Sequence, residues 1–504
     1  MSIKIYPVAD TELSHDGYQV KLNGQFVKLD TARVSAVPLN RRWPGHQRST
    51  EQTELCNFLS FAMDEPVSFE ILPKEPFESV TVRPRSLGIE PVITEEGAIR
   101  FTLDRPAFFT VEPYGRHNAL HVFADPMPDY HVEPQDRDVI FFSPGIHEVG
   151  QIELHSNQTL YLEAGAVVYA CIKSIDAENI RILGRGILDN SHNKETILYE
   201  ANETGNDSAV NNALRQHTIQ LEYCTNVEID GITIRDSLVY NIRPVACRDV
   251  RISNVKIIGC WRYNSDGIDM HNCENVWIEN CFLRTFDDSI CVKGFDCYYE
   301  GDVEQAVHDA MYRNGKRYDV FKNVRVRNCT IWNDWGKCLE IGAETRAEEI
   351  RDIVFEACSI IHVTGSVLDC CNVDYADVHD VVYRDIQVEY DDRIPEMVIQ
   401  KRDSDVYRTA NPDYAPALID VRVQFHHEYS AGGARRGKNR KILFRNIHLY
   451  GRQTPIFRFG GFDAVHTCSD ITIRDLYVNG KKLTKHSPYV WNENAVCRKI
   501  QLEF

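Results

Sequence analysis

Asn264-Ser265-Asp266-Gly267-Ile268-Asp269, then Asn275-Val276-Trp277-Ile278-Glu279-Asn280-Cys281-Phe282-Leu283, then Phe286-Asp287-Asp288-Ser289: two acidic corners flank a strand-like segment, and their spacing decides the fold. Asp266 and Asp287 stand 21 residues apart. That is about one turn of a β-solenoid, whose repeats run to roughly 20 or more residues. Successive coils stack at about 4.8 Å, so carboxylates one coil apart face the same groove. A carboxylate pair beside a groove is the equipment for hydrolysing a glycosidic bond.

The same unit recurs outward from this stretch. Its form is Asn/Asp-apolar-x-apolar-x-Asn/Asp-x-x-apolar. It starts at Asn179, Asn226, Asp249, Asn275, Asn323, Asp352, Asp380, Lys441 and Asp470. The steps include 23 residues from Asn226 to Asp249, 26 from Asp249 to Asn275 and 28 from Asp352 to Asp380. Each unit carries brief period-two strands around a polar corner, with the apolar side chains turned inward. A leucine-rich repeat would need a recurrent Leu pattern and a helix in each unit; neither is present. The expected fold is all-β, a right-handed parallel β-helix over residues 131–504. Residues 1–130 differ. Tyr18–Leu22 and Val67–Ile71 alternate between frequent prolines, which predicts a small N-terminal β-sandwich. Asp125-Pro126-Met127-Pro128-Asp129 is expected to be a linker.

Composition narrows the function. The net charge of −18, with no basic run, argues against a nucleic-acid partner and leaves a neutral sugar open. No run of about 18 apolar residues predicts a membrane span. Met1 to Asp10 carries no apolar leader core, so a cytoplasmic location is expected. The 16 cysteines lack paired CxxC spacing, so no zinc is expected, and several share one repeat slot. They are expected to be reduced thiols stacked inside the solenoid. No metal or cofactor is implied, and the sequence leaves homo-oligomerisation open.

Hydrolysis with inversion needs an acid for the leaving oxygen and a base for water. Consecutive residues on a regular strand point to opposite faces. Asp287 and Asp288 therefore share a groove only at a corner or bulge. With Asp266 one coil away, three carboxylates crowd together, and one is expected to hold a proton near neutrality.

Four segments resemble glycoside hydrolase family 28, the polygalacturonase family. They are Ser143–Val167, Gly184-Arg185-Gly186-Ile187-Leu188-Asp189, Asn264–Asp269 and Phe286–Lys293. The resemblance covers roughly residues 138 to 480. It implies a parallel β-helix and inversion, with Asp287 as general acid and Asp266 with Asp288 holding and activating the water. Two family motifs depart. Lys337, in Gly336-Lys337-Cys338, stands where the family has Gly-His-Gly. No Arg-Ile-Lys stretch follows near Asp369 and Asp374, so a neutral glycan gains ground over polygalacturonate. A β-sandwich ahead of a β-helix is also similar to family 49, the dextranase and isopullulanase group, which inverts with three Asp residues.

Lys337, Asp269, His271, Lys293, Trp335, Glu340, Tyr240 and Asn241 are the candidate substrate-binding residues; Trp332, Glu344 and Asp374 stand close by in sequence. Asp288 to Lys337 is 49 residues, about 28 beyond one coil. The excess has helical spacing from Asp302 to Asn314 and holds Tyr298, Tyr299, Tyr312 and Tyr318. It is expected to cover one end of the groove and favour exo-action. The rival readings are a polysaccharide lyase on the same scaffold, with Lys337 as base, and a non-catalytic glycan-binding solenoid.

Overall fold

The computed structural model describes residues 3–41, 48–193, 217–297, 302–402, 404–409, 411–427, 430 and 435–504. Left-handed corners explain the repeat. The first residue of each unit has positive φ: 59° at Asn179, 56° at Asn226, 55° at Asp249, 57° at Asn275 and 59° at Asn323. Five residues on, the conformation returns at Asn254, Asn280, Asn328 and Asp385. Short polar side chains tolerate this region where others pay for it. A brief strand is thus held between two fixed corners. The side chains add ladders: the Asn226 amide donates to Asn179 at 2.7 Å, and the Asn323 amide to Asn275 at 2.7 Å.

Among the described residues, thirty strands from Val139–Phe142 to Arg498–Glu503 form one continuous, almost wholly parallel winding in which most strands pair with the third one on, giving three strands per coil. The register follows the repeat: Val250, Val276, Val324, Ile353, Val381, Ile442 and Ile471 are partners on successive coils. Their side chains fill the interior. Phe355, Tyr383 and Phe444 stack there at 4.8 Å, the coil spacing itself. All sixteen cysteines are free, and fourteen of them are buried. This is a right-handed parallel β-helix.

Before it lies a sandwich of a six-stranded and a five-stranded sheet. Phe69, Phe101 and Phe109 fill the space between them, with Phe69 and Phe101 stacked at 4.7 Å. Asp125 and Pro126 correct the linker expectation. They end the strand Leu120–Pro126, and Asp125 is buried against Lys256 at 3.0 Å. A chain segment carrying a desolvated ion pair is fixed, not loose. The sandwich packs on the solenoid through Phe58, Phe123, Phe282, Trp332 and Ile361. Strand Leu39–Arg41 also pairs with Val398–Gln400 of the solenoid.

The insertion contains the expected helix, Val303–Met311, capped by Asp302, whose carboxylate accepts from the Gln305 N–H at 3.2 Å. Val307 and Met311 bury against Val245, Ala246 and Phe295. The helix thus packs along one corner of the solenoid, touching coils on both sides of its own. Tyr318 is buried in this cluster and Tyr312 is exposed. Tyr298 and Tyr299 lie outside the described residues.

Candidate active site

Asp266, Asp287 and Asp288 do meet. Each brings one carboxylate oxygen within 4.8 Å of the other two. Asp287 and Asp288 occupy the turn between strands Phe282–Thr285 and Ile290–Lys293, where both side chains escape the alternation of a strand. Asp266 sits at the equivalent turn one coil earlier, ahead of strand Ile268–His271, which pairs with Ile290–Lys293.

Neighbouring residues hold these turns. The Asn333 amide donates to the carbonyl of Asp287 at 2.7 Å, to that of Lys337 at 3.1 Å and to the Ser289 hydroxyl at 3.0 Å. The backbone N–H of Lys337 donates to Oδ1 of Asp288 at 2.8 Å. Gly336 passes so close that a Cβ would lie 2.5 Å from that oxygen. Gly267 is equally constrained, pressed on the carbonyl of Ser289. Asn333 was not singled out from sequence, and Gly336 was named only as the neighbour of Lys337 in the altered Gly-His-Gly motif. The insertion separates them from Asp287, although Asn333 is the register partner of Thr285 one coil on.

Two ammonium groups divide the charge. Lys293 Nζ lies 2.8 Å from Asp269, 3.5 Å from Asp266 and 3.7 Å from Glu344. Lys337 Nζ contacts Glu340 and lies 3.6 Å from Asp369. Asp266, 2% exposed, is pushed well above the usual carboxylate range by burial, with Asp269 and Asp287 adding to it. Asp287 is pushed up to about 7 by burial and by Asp288; its partial solvent access tempers that push. Burial would raise Asp288 too. Lys337, Lys293 and a hydrogen bond from Glu340 outweigh it, and Asp288 falls below its ordinary value. The corner thus pairs a proton-holding Asp287 with an ionised Asp288, the pattern of an acid beside a base.

The other candidates sit around this centre. Asp269 and Glu340 are fully buried and serve the two lysines. Asn241 is buried, and its amide donates to the carbonyl of Asp266 at 2.7 Å. Tyr240 is 5% exposed, with Lys293 Nζ 5.1 Å from its ring centre. His271 is 1% exposed, with Nδ1 on the Gly294 carbonyl at 3.0 Å, so it is no surface-turn residue. Its Nε2 has no partner among the described residues. Trp335 is half-buried and stacks with Phe286 at 6.0 Å. Trp332 lies at the sandwich seam, beneath the guanidinium of Arg284. Asp374 is spent on the Thr345 N–H at 2.9 Å and on Arg346. Two overlapping groups could hold a cation, the carboxylates of Asp266, Asp287 and Asp288, or those of Asp288 and Glu340 with the Cys291 sulfur. Lys293 and Lys337 already supply positive charge at both.

A model of the glycosyl hydrolases family 28 matches residues 138–423, more than half of the chain and all three carboxylates. The chain belongs to glycosyl hydrolases family 28. A probable polygalacturonase of Vitis vinifera is 35% identical over 86 residues, 17% of this chain and 18% of that protein. A polygalacturonase of Gossypium barbadense is 24% identical over 213 residues, 39% of this chain and 49% of that protein. The chain therefore spans less than half the length of either relative. Among solved structures, Dex49A from Penicillium minioluteum matches 97% of this chain and 96% of its own, with a TM-score of 0.56 at 14% identity. An exopolygalacturonase from Thermotoga maritima matches 70% and 84%, with a TM-score of 0.50 at 17% identity. At those identities the likeness is one of fold. The Dex49A match runs the whole chain, sandwich included, as the family 49 layout leads one to expect.

This family 28 chain departs from the pattern at Lys337, and the structure shows what the lysine does. Its ammonium is bound to Glu340 and Asp369, and its backbone serves Asp288. One coil further, Arg422 is held by Asp420 at 2.6 Å, and Arg458 lies 3.7 Å from the same carboxylate. Each of these cations already has an acid.

Proposed function

We propose that this glycoside hydrolase cleaves a neutral oligosaccharide with inversion, Asp287 protonating the leaving oxygen and Asp288 activating water that Asp266 helps to hold. The observation that carries the reading is the convergence of the three carboxylates at one corner, Asp287 and Asp288 partly open to solvent, with opposite pressures on their protons. The preference for a neutral glycan rests on the lysines. Lys293 and Lys337 are engaged by carboxylates, and the surrounding acids would repel a uronate. Free thiols throughout the core fit a reducing, cytoplasmic setting.

The carboxylate oxygens approach more closely than the roughly 6.5–9.5 Å usual for an acid and base that sandwich water. In our reading the water sits beside the pair, between Asp266 and Asp288. The short separation also favours a second reading, in which Asp288 attacks the anomeric carbon and configuration is retained. Proton NMR of the first product separates the two: an inverted anomer supports the water mechanism, and a retained one replaces it. The hydrolase reading itself is tested by reducing-sugar release from neutral and acidic oligosaccharides, with Asp287→Asn as control. An unsaturated product absorbing in the ultraviolet would mark a lyase instead.

A further inference from the structure

A cavity of about 460 Å³ opens on the N-terminal side of the triad. Its lining includes Glu12 from the N-terminal segment, with Tyr169, Asp189, His192, Asp236 and Arg262 from the solenoid. Tyr169, Asp189 and Arg235 are register partners on successive coils, and Arg235 faces Ile258 on the next. The coil after that carries Phe282–Thr285, just ahead of Asp287. At about 4.8 Å per coil, the cavity begins roughly 10–15 Å from the acid. Arg262 closes the gap. Its carbonyl accepts from the Ser265 hydroxyl at 2.7 Å, so Arg262 and Asp266 belong to one tight turn.

The cavity is built for a hydroxyl-rich ligand. Arg262 is 9% exposed, with one nitrogen 3.2 Å from Asp236 and its Nε without a partner among the described residues. Its side chain is 11% exposed, so the guanidinium, with its fork of N–H donors, borders the cavity. His192 stacks flat on Tyr169, with ring centres 3.6 Å apart and planes 2° apart. The imidazole side chain is 33% exposed and offers an aromatic surface to the C–H face of a sugar. The charges are balanced against a uronate: Arg235 is spent on Asp189 at 2.5 Å, Arg262 on Asp236, and Glu12 adds a carboxylate.

We propose that this cavity is a distal subsite holding a neutral sugar unit of the chain cleaved at Asp287, with Glu12 giving the N-terminal segment a direct part in substrate binding. The proposal rests on the hydrolase reading above and adds a length preference to it. The test is calorimetric titration of the Asp287→Asn protein with short and long members of neutral gluco- and galacto-oligosaccharide ladders and of a galacturonate ladder. Long neutral members should bind about tenfold more tightly than short ones, the scale of one hydrogen bond to a charged group. His192→Ala and Arg262→Lys should each remove most of that gain while leaving the affinity of the shortest binder in place. A thermal melt of the His192→Ala protein, altered at an exposed ring, checks that the fold survives. Affinity independent of length, a length gain untouched by both substitutions, or binding confined to galacturonates overturns the subsite. Hydrolysis surviving Asp287→Asn strikes the acid assignment instead, and the length gain is then measured as KM on the wild-type protein.

Discussion

Gly336 lies directly against Asp288: a Cβ at position 336 would stand 2.5 Å from both the backbone nitrogen and Oδ1 of Asp288. Neither contact can relax cheaply, because Oδ1 is fixed by the Lys337 N–H and the nitrogen belongs to the turn. Gly336→Ala must therefore push the ionised carboxylate out of place. Displacing a reacting group by about 1 Å costs on the order of 100-fold in rate. Overpacking adds about 1–3 kcal/mol of instability. We expect kcat to fall about 100-fold while the protein remains folded at 25 °C, measured by turnover and circular dichroism on the same sample. Wild-type turnover would show that Asp288 needs no such fixing.

The acid assignment has a pH signature. Asp287 works only while protonated, and its carboxyl is pushed up to about 7. Asp288 works only while ionised, and it lies below its ordinary value. The kcat/KM profile should therefore stay level through the weakly acidic range and fall about tenfold per pH unit above 7. Asp287→Asn should cost about 100- to 10,000-fold and abolish that alkaline fall. An alkaline limb unchanged in the residual activity of the variant would assign the proton to another group.

Ala357 is one of the corners that depart from the Asn/Asp rule, as Ala246 and Lys441 also do. Asn280 and Asn328 are linked by an amide hydrogen bond at 2.7 Å, and the next coil places Ala357 at φ 53° in the same slot. Alanine pays the left-handed penalty without an amide to continue the ladder. Beside it lies open space, since Asn280, Asn328 and Ala357 all line a cavity of about 550 Å³ at the seam. Ala357→Asn should stabilise the protein by about 1 kcal/mol, read as a higher urea midpoint with unchanged slope. A lower midpoint would mean that the amide finds no partner there.

How far the sequence could be read follows from these cases. The repeat was legible because a left-handed corner favours Asn, Asp or Gly, and five residues separate the two corners of each strand. The triad was legible because Asp266 and Asp287 are one coil apart with nothing inserted between them. Asn333 was hidden behind the insertion that carries the helix Val303–Met311, and the close approach of Gly336 to Asp288 shows only in packing. Arg262 carried no signal in the sequence, since only packing shows its pairing with Asp236 beside the cavity. The seam between sandwich and solenoid left no trace at all. Lys256 with Asp125, and His362 with Glu112, join residues more than a hundred positions apart, and no local pattern records such a pair.

His362 gives that seam its own pH dependence. The ring is fully buried, with Nε2 2.9 Å from Glu112 of the sandwich and Nδ1 2.8 Å from Asp391 of the solenoid. Burial alone would lower its pKa, but the two carboxylates outweigh burial and raise it. A folded value above the unfolded one, about 6.5, means that the imidazolium stabilises the folded state. That stabilisation is complete below about pH 6.5 and is lost as pH climbs through the raised folded value. His362→Gln leaves Glu112 and Asp391 without their shared cation, although Arg83 still lies 3.1 Å from Glu112 and 3.4 Å from Asp391. The loss should be near the lower end of a broken buried pair, about 3 kcal/mol at acidic pH, and smaller at alkaline pH. Urea melts of both proteins on either side of neutrality measure it directly. If the difference between them does not shrink as pH rises, His362 is not the charged tie between the two halves.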